Sequence, residues 1–275
     1  MNILVTGGLG FIGHNVVRLL EAQGHECIII DTETDYGFIP KAELKFLVDS
    51  RLARIQTKPR IIDIRDTEHL DTVMRVYKPE AVIHLASFPR QKVVNANPCL
   101  GSHTMSEGLL SLLEASVKSS VRKFVYVSSS MVYGNFRDVY FDGIPETHEC
   151  NPIGQYGIMK LAGEWLVKDY ARRYNMAYTI LRPSAVYGPY DVEDRVVSKF
   201  LLAAMRGETI QVNGYDESLD FTFVSDVADG IATAAISPDT DNQTYNITRG
   251  HSRTLLEAAE LAVKTVGRGN IQVNE

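Results

Sequence analysis

Residues 1–20 read MNILVTGGLGFIGHNVVRLL, and this stretch decides the fold. Residues 2–5 form an apolar run that is too short for a helix. Glycines 7, 8, 10 and 13 follow it, and residues 11–20 continue with the apolar spacing of an amphipathic helix. The pattern therefore predicts a strand, a tight turn and a helix.

Three of these glycines, Gly7, Gly10 and Gly13, have the spacing of a dinucleotide-binding turn. Without side chains they let the backbone turn sharply, approach a pyrophosphate and pack the helix close to the strand. The N-terminus of that helix would offer free N–H groups to the phosphates. A flexible glycine-rich loop is the alternative. A second apolar run, residues 27–30, is followed by Asp31. This favours the dinucleotide site, because a carboxylate about twenty residues after the turn accepts hydrogen bonds from ribose hydroxyls.

Apolar runs and helical periodicities alternate through the next 150 residues. We predict strands at 60–64, 81–86, 123–127 and 178–181, and helices at 41–55, 68–77, 99–118 and 155–174. Near-continuous apolar strands that alternate with helices indicate a parallel sheet with both faces covered. The predicted class is α/β, with a Rossmann-type, doubly wound parallel sheet over residues 1–185. Shorter, turn-rich segments in residues 186–275 predict a smaller, partly interleaved C-terminal lobe that binds substrate.

The composition disfavours several other classes of protein. The 275 residues are 45% hydrophobic and carry a net charge of −6 without a block of lysine or arginine, which disfavours nucleic acid as a partner. No apolar run has the length of a membrane span and the chain begins in a predicted strand, so we expect a cytoplasmic protein that does not bind membranes. Three cysteines without a CxxC pair predict neither disulfides nor a zinc site. We interpret His84 as a core or loop histidine, because no second metal ligand is suitably spaced.

Tyr156 and Lys160 lie four residues apart on a predicted helix, so their side chains share one face. Tyrosine is a weak base at neutral pH, but a nearby ammonium group favours the phenolate and lowers the pKa of the hydroxyl. A hydroxyl group of Ser128, Ser129 or Ser130 could hold the substrate oxygen while its proton leaves. The alternative is a surface Tyr–Lys pair beside a serine-rich turn. The glycine turn earlier in the chain favours the catalytic interpretation.

Several motifs together resemble the extended short-chain dehydrogenases/reductases, above all the nucleotide-sugar epimerases. These motifs are the glycine turn and the segments 63–66 (DIRD), 84–86 (HLA), 128–134 (SSSMVYG), 156–160 (YGIMK), 181–183 (LRP) and 187–189 (YGP). The resemblance implies that Ser129, Tyr156 and Lys160 are catalytic and that NAD is tightly bound. The implied cofactor-binding residues are Gly7, Gly10, Phe11, Ile12, Gly13, Asp31, Thr32, Asp63, Ile64, Leu85, Ala86, Ser87, Tyr156, Lys160 and Pro183. It also implies a homodimer through helices 99–118 and 154–174.

The sequence departs from this family on the substrate side. Ser130 and Met131 stand where the dehydratases have an Asp-Glu pair, and neither can replace an acid, which disfavours dehydration. Ala185 and Leu219 stand where an asparagine and an arginine of the family bind the nucleotide sugar. The chain also stops at Glu275, where relatives continue.

A sugar nucleotide still needs cations for its diphosphate, and arginine supplies them best. The candidates are Arg195, which precedes a predicted helix beginning near Val196, and Arg90. A solvated arginine at a helix start is the alternative for Arg195. By position along the family pattern, Gln211 and Val212 would flank the nucleotide base. The predicted substrate site thus consists of Ser129, Arg90, Arg195, Val196, Gln211 and Val212.

The predicted function is NAD-dependent epimerisation of a nucleotide sugar through a transient ketone. Tyr156 would remove the proton of a sugar hydroxyl while hydride leaves the same ring carbon, which gives the ketone. Return of hydride to the other face of the ketone would invert that carbon. A one-way dehydrogenase or ketoreductase with the same residues is one alternative. A noncatalytic module that senses the dinucleotide is another. Such a module could lose the Ser–Tyr–Lys set, which this chain retains.

Overall fold

The structure, a computed structural model, describes residues 1–34, 37–135, 143–214 and 216–274. The strands are β1 (Asn2–Thr6), β2 (Glu26–Asp31), β3 (Arg60–Ile61), β4 (Ala81–His84), β5 (Lys123–Val127), β6 (Ala177–Pro183), β7 (Val186–Tyr187), β8 (Thr209–Asn213), β9 (Ser218–Leu219), β10 (Thr222–Phe223), β11 (Gln243–Ile247), β12 (Arg253–Thr254) and β13 (Asn270–Asn274). The α-helices are α1 (Phe11–Ala22), α2 (Lys41–Leu52), α3 (Thr67–Tyr77), α4 (Gln91–Ala96), α5 (Pro98–Ser102), α6 (Gly108–Lys118), α7 (Gln155–Tyr174), α8 (Val196–Arg206), α9 (Val224–Ile236) and α10 (Leu255–Val266).

Seven strands form one parallel sheet in the order β11-β6-β5-β4-β1-β2-β3. On one side of β1 lie β2 and then β3. On its other side lie β4, β5, β6 and β11, in that order. Ligands of such sheets bind beyond the carboxyl ends of the strands, where the order reverses. Here that point lies between β1 and β4, with Thr6 beside His84.

Both faces of the sheet are buried, because side chains of successive strand residues point to opposite faces. Leu4 belongs to the core cluster under α3, α6 and α7, whereas its neighbours Ile3 and Val5 belong to the cluster under α1 and α9. This arrangement explains why the strands are apolar throughout, and it confirms the predicted α/β class with a doubly wound parallel sheet.

Several predicted elements differ from the structure, among them helix 41–55, which ends at Leu52, and strand 81–86, which ends at His84. The predicted strand 60–64 ends at Ile61, because Asp63 begins a turn in which its side chain accepts a hydrogen bond from the N–H of Arg65. The predicted helix 99–118 is helical over its length but contains a π-helical segment, His103–Glu107, between α5 and α6. Such a segment holds one extra residue per turn and shifts the buried face, which single-period reasoning misses.

The chain after residue 186 is shared between the large sheet and a smaller cluster. Helix α9 packs on α1, and β11 pairs with β6 in the main sheet. Helices α8 and α10 and the paired strands β8 and β13 enclose a separate core cluster around Phe200 and Ile210. The lobe boundary at residue 185 stays a prediction. Among the described residues, no helix is both long and apolar enough to cross a bilayer.

Candidate active site

The glycine turn joins β1 to α1 at the point where the strand order reverses. A Cβ atom on Gly7, whose φ angle is +72°, would lie 2.7 Å from the backbone nitrogen of Ala86. A Cβ atom on Gly13 would lie 2.1 Å from the carbonyl oxygen of Gly7. Gly10 caps α1 without a side chain, and the first turn holds no acidic residue. The N–H groups of Phe11 and Ile12 therefore start a helix whose positive end suits an anion.

Asp31 is fixed beside this turn at the end of β2. Its Oδ2 accepts a hydrogen bond from the N–H of Leu9 at 2.9 Å, and its Oδ1 accepts from the N–H groups of Thr32 at 2.8 Å and Glu33 at 2.9 Å. These backbone donors hold the carboxylate while lone pairs remain for ribose hydroxyls. Asp31 thus has the surroundings that a dinucleotide site requires.

The remaining predicted cofactor residues lie at the carboxyl ends of their strands. Leu85 follows β4 and its N–H donates to the carbonyl of Thr6, while Ala86 and Ser87 continue the same loop. Pro183 ends β6. The side chain of Ile64 is buried, so only its backbone can reach a base. The carboxylate of Asp63 is held by two hydrogen bonds from the Arg65 side chain, and the pKa of Asp63 is lowered chiefly by that side chain.

Ser129, Tyr156 and Lys160 are brought together at the end of β5. Ser129 follows the strand, and its Oγ accepts a hydrogen bond from the N–H of Met131 at 3.2 Å. Tyr156 is the second residue of α7 and lies close enough to Ser129 for the serine hydroxyl to lower the pKa of Tyr156. Lys160 is 4% exposed, and its Nζ donates to the carbonyl of Val127 at 2.8 Å and lies 5.9 Å from the centre of the Tyr156 ring.

The pKa values differ from the sequence-based expectation for this pair. Burial raises the pKa of Tyr156, and the charge of Arg195 and the hydrogen bond from Ser129 oppose the rise. Burial lowers the pKa of Lys160 to about 8, and the charge of Glu164 opposes this fall. The expected net lowering of the Tyr156 pKa is therefore not found, because desolvation dominates and the charge that opposes it is that of Arg195.

Helix α7 reaches the end of β5 because two of its positions are glycines. A Cβ atom on Gly157 would lie 2.6 Å from the carbonyl oxygen of Met131, and one on Gly163 would lie 2.1 Å from the hydroxyl of Tyr126. Neither glycine was predicted from the sequence to have this role. Their position on the same helix as Tyr156 and Lys160 was the available signal.

Arg90 and Arg195 converge on the segment that precedes α8. Arg90 Nη1 lies 3.0 Å from Asp194 Oδ2, and Arg195 Nε lies 3.9 Å from Asp191 Oδ1. Burial raises the pKa of Asp191, while the charges of Arg195 and Arg90 oppose that rise. Arg195 is the N-cap residue of α8 and lies close enough to Tyr156 to affect its pKa.

Arg51 was not predicted from the sequence, although it connects this segment to the glycine turn. It is buried on α2 and donates to the carbonyl of Leu9 at 3.1 Å and to the carbonyl of Tyr190 at 2.7 Å. Nothing in the local sequence distinguishes it from the other arginines of residues 41–60. Only the folded chain brings residues 51 and 190 together.

The predicted base-flanking residues lie on β8, where exposed and buried side chains alternate. Gln211 is exposed and donates to Gln272 at 3.1 Å. The side chain of Val212 is fully buried in the small cluster between α8 and α10, so only its backbone could contact a base. Val196 packs against the same cluster.

Comparisons with known proteins agree with this geometry. Residues 3–248 match the NAD dependent epimerase/dehydratase family. A putative UDP-glucose 4-epimerase from Methanocaldococcus jannaschii is 31% identical over 273 residues, which cover 96% of this chain and 82% of that protein.

Two solved structures share the fold. The UDP-glucose 4-epimerase of Thermus thermophilus in complex with NAD is 27% identical with a TM-score of 0.84, over 99% of this chain and 86% of that chain. The UDP-glucose 4-epimerase of Thermotoga maritima with UDP-glucose is 30% identical with a TM-score of 0.86, over 100% of this chain and 86% of that chain. Because the family match spans most of the sequence, including the glycine turn and the Ser–Tyr–Lys set, this chain belongs to the NAD dependent epimerase/dehydratase family.

Proposed function

We propose that this protein epimerises one ring carbon of a nucleotide sugar with NAD as its cofactor. The observation that carries the proposal is the convergence of Ser129, Tyr156 and Lys160 at the end of β5, on the same edge of the sheet as the glycine turn. The turn has the close packing of a dinucleotide-binding turn, because a Cβ atom on Gly7 would collide with the backbone of Ala86 and one on Gly13 with the backbone of Gly7. NAD, when bound, accepts and returns a hydride.

The chain's own residues handle the proton. Tyr156 takes the proton of the sugar hydroxyl as general base and gives it back when the ketone is reduced. Ser129, which lies close to Tyr156 at the end of β5, would hold the substrate oxygen between its own hydroxyl and that of Tyr156. Against the effect of burial on Tyr156, we propose that the ammonium group of Lys160, 5.9 Å from the ring centre, favours the phenolate during the reaction and can donate to ribose hydroxyls.

The cofactor would be held by backbone and side-chain groups at the ends of β1, β2, β4 and β6 and in the turn after β3. We assign Phe11 and Ile12 to the pyrophosphate, Asp31 to the adenosine ribose, Asp63 and Ile64 to adenine, and residues 85–87 and Pro183 to the nicotinamide half. The hydrogen bonds that fix Asp31 beside the turn support this assignment.

On the substrate side, we propose that Arg195 and Arg90 bind the diphosphate. Both are paired with carboxylates on the segment before α8, and the N-terminus of that helix adds N–H donors. The influence of Arg195 on Tyr156 supports its assignment, because the diphosphate and the reacting sugar are parts of one ligand.

Epimerisation is favoured over dehydration because the positions after Ser129 carry no acid. Ser130 and Met131 begin a short 3-10 helix, Ser130–Tyr133, and Met131 is exposed. A net dehydrogenase or ketoreductase would use the same residues and is the second candidate. The retained Ser–Tyr–Lys geometry argues against a noncatalytic sensing module.

Activity measurements separate these candidates. The purified protein is incubated with UDP-, GDP- and dTDP-sugars, and the products are identified by NMR spectroscopy and mass spectrometry. We expect an epimer without net change in NADH. Tyr156→Phe should retain NAD and lose about two to four orders of magnitude of turnover, the usual effect of a positioned acid/base. Stoichiometric NADH formation would favour the dehydrogenase, and near-native turnover of Tyr156→Phe would reject the mechanism.

We also propose a homodimer through α5, α6 and α7. Ile158 and Trp165, seven residues apart on α7, are both exposed, and Trp165 is 66% exposed. Leu100 on α5 is also exposed. An apolar helix face of this kind marks an interaction surface. Trp165→Glu should convert a dimer into a monomer in light scattering, whereas Phe46→Glu, at a site 63% exposed on α2, should not. A wild-type monomer at high concentration would contradict this proposal.

We place the protein in the cytoplasm. Its cysteines Cys27, Cys99 and Cys150 are free thiols in the structure, as is usual in a reducing compartment. Fractionation of the native host, followed by immunodetection, tests the location. Recovery of the protein with an oxidising compartment would contradict it.

A further inference from the structure

Glu164 is a buried acid one helical turn beyond Lys160. It is 1% exposed, and with Tyr156 and Lys160 it occupies one face of α7 at four-residue spacing. Burial of a carboxylate costs several kcal/mol unless it is paired and hydrogen bonded. A residue so placed beside a candidate catalytic lysine needs a physical explanation.

Two strands hold the Glu164 carboxylate from the sheet side. Arg182 on β6 donates from Nε to Oε1 at 2.9 Å and from Nη2 to Oε2 at 2.6 Å, and Ser128 at the end of β5 donates to Oε1 at 2.6 Å. The bidentate pair is the strongest geometry for a carboxylate. Burial by itself would lower the pKa of Arg182. The hydrogen bonds and the charge of Glu164 outweigh this effect, so the Arg182 pKa is raised.

The same arginine is anchored beyond Glu164. Its Nη1 donates to the hydroxyl of Tyr133 at 2.8 Å, and that hydroxyl donates to Oδ1 of Asn246 at 2.8 Å. The carboxylate is thereby fixed relative to β5, β6 and β11. Its position does not depend on α7 alone.

The groups that face Lys160 come from three elements. Tyr156 and Glu164 face it from α7, the ring of Tyr126 lies 5.3 Å from its Nζ on β5, and His84 faces it from β4. Burial lowers the pKa of His84 to about 3 and raises the pKa values of both tyrosines, so these three groups are neutral near pH 7. Among these groups, Glu164 supplies the negative charge.

We propose that Glu164 is a positioning residue that keeps the buried amine of Lys160 protonated, and that Ser128 and Arg182 hold its carboxylate in place for this task. The proposal rests on the function proposed above, in which a charged Lys160 stabilises the phenolate of Tyr156. Glu164 itself touches neither substrate nor cofactor in this scheme. It acts through the charge of Lys160.

The test is a direct titration of Lys160, which needs no substrate. Protein labelled with ¹³C at the lysine Cε atoms is titrated by NMR spectroscopy, and the Lys160 signal is the one missing from Lys160→Met. In Glu164→Gln we expect the Lys160 pKa to fall by at least about one unit, the lower range for loss of a close opposite charge. Ser128→Ala retains the carboxylate and should leave the Lys160 pKa within about half a unit of wild type, as expected for loss of one neutral hydrogen bond.

The Glu164→Gln variant leaves Arg182 buried without its carboxylate, so a second variant is required. Glu164→Gln/Arg182→Met removes both charges, a change that protein cores tolerate better than a broken pair. We expect the low Lys160 pKa to persist in it. A wild-type Lys160 pKa in either variant would overturn the proposal. If only the double variant has the wild-type value, the fall of the Lys160 pKa in Glu164→Gln is caused by the unpaired Arg182. Failure of every nucleotide sugar to react would reject the proposed function and leave this titration interpretable.

Discussion

At the scale of single residues, the site depends on charges whose partners lie far away in the sequence. Arg195 lies near Asp191, four residues earlier in the chain, but its charge also acts on Tyr156, which belongs to another element of the fold. Arg90 reaches Asp194 across 104 residues. Each of these arginines is paired, so a diphosphate would compete with a carboxylate for it.

Arg195→Ala should weaken nucleotide-sugar binding without changing NAD affinity. The loss of a charged hydrogen bond predicts a cost of about 1.5–3 kcal/mol in binding free energy. Calorimetric titration with UDP-, GDP- and dTDP-sugars and, separately, with NAD measures both affinities. Lys199→Ala, one turn further along α8, is the matched control and should bind the sugar nucleotide as wild type does. Equal affinities for wild type and Arg195→Ala would remove Arg195 from the site.

At the scale of elements, the position of α7 on the sheet brings Tyr156 to Ser129. The helix can approach β5 because Gly157 and Gly163 have no side chains at the contact. In an exposed helix, glycine costs about 1 kcal/mol relative to alanine. Here the close packing against Tyr126 makes glycine the better residue, despite its low helix propensity.

Gly163→Ala should therefore destabilise the protein and reduce turnover, although alanine is the stronger helix former. An added Cβ atom at 2.1 Å from the Tyr126 hydroxyl forces a shift, and overpacking of this kind costs about 1–3 kcal/mol. Urea unfolding and steady-state kinetics measure the two effects.

Removing the Tyr126 hydroxyl provides the control for this clash. Gly163→Ala should be less destabilising in a Tyr126→Phe background, because the nearest clashing atom is then gone. Should Gly163→Ala stabilise the protein in both backgrounds, the close contact between α7 and β5 would not limit the fold.

At the scale of the whole molecule, two buried histidines link stability to pH. His14 on α1 donates from Nδ1 to the Gly10 carbonyl at 3.0 Å, and burial lowers the pKa of His14 to about 4. His84 Nδ1 lies 2.8 Å from Thr6 Oγ1, and burial lowers the pKa of His84 to about 3. Both rings are therefore neutral in the folded protein at pH values where the unfolded chain already binds protons.

The free energy of unfolding should fall as the pH decreases from about 6.5 towards 4. In this window the unfolded state binds protons that the folded state excludes, so protonation favours unfolding, by about 1.4 kcal/mol per pH unit for each histidine. Above about pH 6.5 the two histidines are neutral in the unfolded chain as well, so their contribution to the free energy of unfolding no longer changes with pH. Urea unfolding at a series of pH values measures the slope.

Substitution identifies the groups responsible. His84→Asn should reduce the slope by roughly one proton. An unaltered slope in His84→Asn would show that other groups control acid unfolding.

Much of the fold follows from local patterns. Residues 1–20 specify the strand, turn and helix, because only glycine permits the close backbone contacts at positions 7 and 13. The apolar strands predict a sheet buried on both faces, and all seven strands of that sheet are parallel. The four-residue spacing of Tyr156 and Lys160 places them on one face of α7 whatever the rest of the chain does.

The sequence by itself thus determined the fold class, the cofactor turn and the candidate Ser–Tyr–Lys set, since each depends on residues that are close in the chain. Only the tertiary structure decided which charges surround that set. Arg182 reaches Glu164 and Arg51 reaches Tyr190 through contacts between separate elements. The packing of these elements also buries Tyr156, and burial dominates its pKa. Electrostatic effects depend on distance in space and on exclusion of water, and neither quantity can be read from spacing along the chain.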